Sequence, residues 1–165
     1  MQITGIYLDN GQPTSFELEE GFLMKLNREL EISEIELDGF NLNVLAHYGY
    51  QDVENFYKAY QNGELEHDDL CVYMAVLNHG LATNVADAIE YVSNHFIQSD
   101  SWDNFDFQKD FAYDQAQELI STWTDDAKIR EQIASRFDYD GYERDIFIDC
   151  YTYVKYLDQQ YIFSM

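Results

Sequence analysis

Apolar positions recur along this chain at two periods, two residues and three to four, and the switches between them mark its elements. Ile3 to Leu8 alternates as a strand does, and Asp9-Asn10-Gly11 is a turn signal that returns Ser15 to Leu18 beside it as a hairpin. Glu19 to Leu30 then reads as a helix, with Phe22, Leu23, Leu26 and Leu30 on one side and the acids Glu19 and Glu20 in the first turn, where the helix dipole favours them. In Glu31 to Asp38 the apolar residues Ile32, Ile35 and Leu37 alternate imperfectly with acids, and Asp38-Gly39 closes the run. Asn41 to Tyr48 is expected as a further short strand. Residues 1–50 therefore read as a small α/β lobe.

The next stretch is helical in period. Tyr50-Gln51-Asp52 opens a helix running to about Gln61, stopped by Asn62-Gly63. His67-Asp68-Asp69 opens a second, Leu70 to Asn78, ended by His79-Gly80, and Thr83 is expected to cap a third, Ala86 to Asn94. Residues 51–98 form a helical middle lobe on this reading.

In Ser99 to Trp123 two stripes are written over each other. Phe105, Ala112, Ala116, Leu119 and Trp123, joined by Phe111 and Ile120, follow the spacing of a core-facing helix stripe. Asp103, Asp106, Asp110, Asp114 and Glu118 recur at nearly the same step on another face, a carboxylate about every 5 to 6 Å along a helix edge. Like charges at i,i+4 cost a few tenths of a kcal/mol per pair, so this stripe opposes helix stability. A second helix, Asp125 to Phe137, follows the N-terminal signal Thr124-Asp125-Asp126, and the runs Phe147 to Tyr156 and Gln159 to Phe163 suggest a terminal β-hairpin. Residues 99–165 thus read as an α+β lobe, and the whole chain as an elongated α+β protein of three small lobes.

Charge changes the picture. The 165 residues carry 32 Asp and Glu against nine Lys and Arg, a formal charge of −23. A magnitude of roughly 2 to 8 suffices to keep a small domain soluble, and self-repulsion on the larger scale destabilises a compact state. Yet 46% of the residues are hydrophobic, with 14 Tyr and 11 Phe, so the chain should fold. Such a charge excludes nucleic acid or an anionic membrane as a direct electrostatic partner unless metal ions intervene, and points to a basic protein surface as partner. Duplex DNA carries one charge per about 1.7 Å of axis, so the net charge matches roughly 39 Å of duplex and the gross acid count roughly 54 Å. Four of the nine basic residues lie between Lys128 and Arg144, a local relief where two copies or segments could approach.

Candidate chemistry is sparse. Cys71 and Cys150 stand in apolar and strand-like runs without ligand-spaced partners, and two buried thiols in a reducing compartment are expected. Neither a leader-like segment nor an apolar stretch approaching 18 residues is present, so a cytoplasmic location is expected. His47, His67, His79 and His95 fall in no metal-binding spacing. Asp138-Tyr139-Asp140-Gly141 fails as a calcium loop, because placing Gly141 at position six puts Arg136 at one and Phe147 at twelve. Phosphate-binding, dinucleotide and nucleophile motifs are missing, and carboxylates are too abundant for any pair to stand out. No enzyme activity, cofactor or metal is expected.

The segment Phe137 to Phe147 (FDYDGYERDIF), followed by Tyr151-Thr152-Tyr153 and Tyr161-Ile162-Phe163, resembles the C-terminal signature of the ArdA antirestriction family. The resemblance extends more loosely back to Asp52, whereas the start departs from it, with only Ile6 to Gly11 and Phe16 near the family's opening pattern. It implies a DNA mimic: an elongated homodimer of three-lobed subunits, found on mobile genetic elements. Its carboxylates would stand in for phosphates of bent B-form DNA in the groove of the specificity and methyltransferase subunits of a type I restriction-modification enzyme. The phosphate-mimicking candidates here are Asp87, Glu90, Asp100, Asp103, Asp106, Asp110, Asp114, Glu118, Asp125 and Asp126. The dimer contact would use Lys128, Arg130, Arg136, Phe137, Tyr139 and Tyr142. The competing expectation is an acidic interaction module for some other basic DNA-binding protein.

Overall fold

The computed structural model describes residues 1–7, 12–18, 30–65 and 68–165. The turn expected at Asp9-Asn10-Gly11, the helix expected from Glu19 and the residue His67 lie outside the described residues. The fold is α+β, and the chain divides into two compact units, Met1–Phe96 and Ile97–Met165. The stretches expected as an N-terminal and a helical middle lobe fall almost wholly within the first.

The first unit begins with a four-stranded sheet of order β2-β1-β3-β4, with β1 Gln2–Tyr7, β2 Pro13–Glu17, β3 Leu30–Leu37 and β4 Phe40–Asn41. Both β2 and β3 run antiparallel to β1. The imperfect alternation of β3 has a cause in this pairing. Ile3 faces Ile35 and Gly5 faces Ile32, so the register slips by one residue between Thr4 and Gly5. A β-bulge absorbs the extra residue, which puts Ile32 and Ile35 on one face although they stand three apart. Ser33, at the slip, donates its hydroxyl hydrogen bond back to the Thr4 carbonyl at 3.2 Å. Asp38 and Gly39 then turn the chain with φ of 51° and 86°, the paired positive values a two-residue hairpin loop requires.

The strand expected over Asn41 to Tyr48 is not formed; Asn43–His47 is a 3-10 helix. The two asparagines explain this. The Asn41 side chain accepts the Asn43 N–H at 3.0 Å, and the Asn43 side chain accepts the Ile35 N–H at 2.8 Å, replacing a ladder partner. Leu42, Val44 and Leu45 are all buried, a spacing no one-sided strand can satisfy.

Among the described residues three α-helices follow in this unit: α1 Tyr50–Gln61, α2 Cys71–Asn78 and α3 Val85–His95. Every residue from Cys71 to Leu77 is buried, so α2 is the central helix, apolar on all sides. Phe56 of α1 meets Tyr73 of α2 edge to face, with ring centroids 5.9 Å apart. The cap of α3 is Asn84 rather than Thr83. Its side chain accepts the Asp87 N–H at 2.9 Å, and the Asp87 carboxylate accepts in return from the Asn84 amide and the Thr83 hydroxyl, each at 2.7 Å.

The second unit contains β5 Phe96–Ser101, α4 Phe107–Trp123, α5 Ala127–Ala134, α6 Tyr139–Asp149, β6 Tyr151–Tyr156 and β7 Gln159–Ser164. The strands form a sheet of order β5-β7-β6, with β6 and β7 as an antiparallel hairpin. The helix α6 takes up Phe147 to Asp149, which the sequence had suggested for the hairpin. Its start is the Asp-Tyr-Asp-Gly motif: the Asp138 carboxylate accepts the Gly141 N–H at 3.0 Å as an N-cap. A Cβ at position 141 would stand 2.5 Å from the Asp138 Oδ2, so glycine leaves room for the capping carboxylate.

Of the two thiols only Cys71 is buried; Cys150 is exposed where α6 gives way to β6. Burial, and then Asp69 beside it, push the Cys71 thiol up to about 12, outweighing the acidifying helix N-terminus. In native protein at pH 8, a disulfide thiol reagent is expected to modify Cys150 readily and Cys71 only on unfolding; two fast-reacting thiols would contradict this. Replacing Asn84 by Ala should cost about 1 kcal/mol in urea unfolding, the scale of a lost N-cap. Thr83→Ala, which loses an exposed hydrogen bond to Asp87 at 2.7 Å and a long one from Asn84 at 3.4 Å, should cost about 0.5 kcal/mol, and the reverse ranking would return the cap to Thr83.

Candidate functional site

The acidic stretch is built in two parts. Its helix, α4, starts only at Phe107, so Asp103 and Asp106 precede it and Asp110, Asp114 and Glu118 ride on it. The buried residues of α4 are Phe107, Phe111, Ala112, Ala116 and Ile120. Phe107, Phe111 and Ala112 pack with Ile146 of α6 and Ile162 of β7, with Tyr142, Phe147, Tyr151 and Tyr153 against the cluster. Two residues expected in the apolar stripe are not in it: Phe105 is 87% exposed and Trp123 53%. The register of the buried face is set by Phe107 and Phe111, and Phe105 lies in the turn before the helix begins.

On the same helix Asp110, Asp114 and Glu118 are exposed, flanking the buried positions, and their carboxylates take part in no salt bridge among the described residues. Their steps of four residues place them roughly 6 Å apart along the axis. One DNA strand advances about 3.4 Å per phosphate, so the helix offers about one carboxylate for every two phosphates of a strand.

The turn from Asp100 to Asp106 is tied down at many points. Asn104 donates its side-chain amide to Asp100 at 2.7 Å and accepts the Asp106 N–H at 3.1 Å. Asp100 also accepts the Ser101 N–H at 2.7 Å. From the hairpin below, buried Gln160 donates to the carbonyls of Ser101 at 2.6 Å and Asn104 at 2.7 Å, while accepting from the Tyr153 hydroxyl at 2.6 Å. The Trp102 N–H reaches the Asp158 carbonyl at 3.0 Å, and the Lys155 ammonium sits 3.8 Å above the Trp102 ring. Asp103 and Asp106 stand exposed on this fixed loop.

Comparison with protein-family models, with curated proteins and with solved structures finds no match.

The remaining sequence candidates separate by environment. Asp87 and Glu90 are exposed on α3 in the first unit, Asp87 within the capping network already described. Asp125 and Asp126 are exposed between α4 and α5, where Asp126 caps α5 by accepting the Lys128 and Ile129 N–H groups at 2.8 and 3.3 Å. Asp100, Asp87 and Asp126 therefore serve local structure as well as surface charge.

Lys128 and Arg136 are exposed, and α5 contributes no buried residue. Arg130 is half-buried, and its Nε has no hydrogen-bond partner; the side chain lines a groove of about 510 Å³ with Tyr113, Gln117 and Glu131. Phe137 joins a chain of rings, 6.2 Å from Trp123, 5.0 Å from Tyr139 and 5.4 Å from Tyr142, and Tyr139 stacks on Tyr113 at 5.0 Å. Burial raises the Tyr142 phenol, with smaller contributions from Tyr151, Cys150 and Glu118. Among the described residues no three His, Cys, Asp or Glu side chains group as a metal ion would need, and Glu54 is the one buried acid, 2.9 Å from the Lys58 ammonium.

Sequence reasoning missed Gln160, Tyr153 and Asn104. Gln160, one of two glutamines that precede Tyr161-Ile162-Phe163, had no signal of its own, whereas Asp100, Ser101 and Asn104 carried recognisable turn chemistry.

Asp114 is the middle of the stripe and lies beyond the first turn of α4, so Asp114→Asn removes two repulsive i,i+4 pairs without disturbing the helix start. It is expected to stabilise the fold by about 0.5 kcal/mol in low salt, a gain that shrinks at high salt as screening sets in. Urea unfolding at two ionic strengths checks it, and destabilisation in low salt would show that the carboxylate has a structural partner.

Proposed function

We propose that this chain is a DNA-mimic antirestriction protein of the ArdA kind. It would block type I restriction-modification enzymes in the cytoplasm by occupying the groove where their specificity and methyltransferase subunits hold DNA. The observation that carries the reading is the placement of the acids. With 32 Asp and Glu in the chain, Glu54 is the one buried among the described residues. Asp103, Asp106, Asp110, Asp114 and Glu118 sit on a fixed turn and a rigid helix at a spacing commensurate with phosphates. A groove that grips DNA through Lys and Arg reads charge and position at those contacts, not base identity. Carboxylates held at matching intervals therefore compete for it without any sequence information, and no bond is made or broken.

A homodimer fits this reading, since a two-fold partner doubles the charged length available to one groove. Support comes from the local excess of cations and from α5 with its exposed Ile129.

Binding to a purified type I restriction-modification enzyme, measured from low to high salt, tests the proposal. Affinity should fall steeply as salt rises, because association releases counterions. Changing Asp103, Asp106, Asp110 and Asp114 to Asn and Glu118 to Gln, singly, should each cost under about 1 kcal/mol, and all five together should weaken inhibition many-fold with the fold intact. A salt-independent affinity, a single substitution that abolishes inhibition, or a quintuple variant that inhibits fully would each defeat it. Tight binding to a different basic DNA-binding protein, with none to the restriction enzyme, would favour the general acidic module.

A further inference from the structure

Charge alone leaves one feature of the acidic turn unused. Phe105 is 87% exposed, the highest value among the exposed large hydrophobic side chains of the described residues, and it lies between Asp103 and Asp106. A single exposed apolar residue on a floppy loop would call for no explanation. This loop is not built that way. Gln160, 2% exposed, commits both amide hydrogens to the loop carbonyls of Ser101 and Asn104. Asp106 is further held by Asn104, and Trp102 by Asp158 and Lys155. The chain keeps a phenylalanine in water on a loop it has fixed from below, so the ordering cost of presenting it to a partner is met in advance.

The arrangement has the chemistry of a nucleotide unit, in which a flat aromatic ring is carried on a backbone with an anion on either side. Enzymes that modify a base inside a duplex swing it out of the stack into a pocket that holds it between aromatic and apolar side chains. Resting on the mimic reading above, we infer that Phe105 is the stand-in for such an unstacked base: it enters the base pocket of the modification subunit while Asp103 and Asp106 engage the cations that hold the flanking phosphates. The partner is then a basic surface containing a ring-sized cavity, rather than a basic surface alone.

The test is binding to a purified type I enzyme containing its modification subunits, comparing the wild-type chain with Phe105→Ala, Phe105→Leu and Phe105→Trp. Since position 105 is exposed, none of these should alter the unfolding midpoint. Phe105→Ala is expected to weaken binding about tenfold, within the range of a lost base-to-ring stack, and to do so equally at low and high salt. Phe105→Trp should retain affinity and Phe105→Leu should not, because a flat ring is required. Unchanged affinity in Phe105→Ala, or full affinity in Phe105→Leu, overturns the inference while leaving the mimic intact. If the wild-type chain does not bind the enzyme, the mimic reading itself fails, and that outcome is visible before any variant is compared.

Discussion

Like-charge repulsion is the condition under which the rest of this protein has to fold. At −23 over 165 residues, every compact arrangement brings carboxylates closer together than the open chain does. The apolar side of the balance is correspondingly dense: α2 is buried all round, and α4 packs on α6 and β7 through a cluster rich in phenylalanine and tyrosine. Glu54 shows what the interior demands of an acid, since it sits there with the Lys58 ammonium one turn away. Several other acids occupy positions where the backbone favours them. Asp126 and Asp138 cap α5 and α6, and Asp52, Asp87, Asp110 and Asp140 lie in first helical turns, where unpaired N–H groups and the dipole attract negative charge. Part of the repulsion is thus offset by local structure before any tertiary contact is counted.

Much of the fold was legible because its elements carry strong local signals. The helices at Tyr50–Gln61 and Cys71–Asn78 follow from periodicity and from the Asn and Gly after them, and the closing β-hairpin from its β-rich runs. The failures have specific causes. Asn41 and Asn43 convert an apparent strand into a 3-10 helix by hydrogen-bonding backbone groups that a ladder would have used. Ile32 and Ile35 looked out of phase because a bulge cannot be seen without the partner strand. The start of α6 was examined as a metal loop, although an Asp three residues before a Gly is equally an N-cap signal.

The candidate site shows the same division. That the stretch from Ser99 to Trp123 is acidic could be read directly, but its split into strand, turn and helix could not. The step between Asp103 and Asp106 suits a continuous helix, and what breaks it is the Asn104 side chain bonding to both Asp100 and Asp106; the helical ladder begins only with the Asp110 N–H on the Asp106 carbonyl at 2.7 Å. The anchoring of that turn by Gln160 is a contact across more than fifty positions, invisible to any windowed pattern. Exposure of Phe105 follows from the same event, since a helix begun two residues earlier would have carried it toward the core.

Within the second unit, the buried positions of α4 are committed to packing, whereas its exposed Asp110, Asp114 and Glu118 make no salt bridge among the described residues. The two sets of positions on one helix are therefore under different rules of substitution. An inward residue such as Ala116 is fixed by shape, because a larger side chain has no room. An exposed acid is constrained by charge and interval alone: Asp and Glu can trade places without the interior registering the change. Over generations such a surface can drift through many spellings at constant charge density, while the aromatic framework beneath it keeps the more faithful copy of its ancestry.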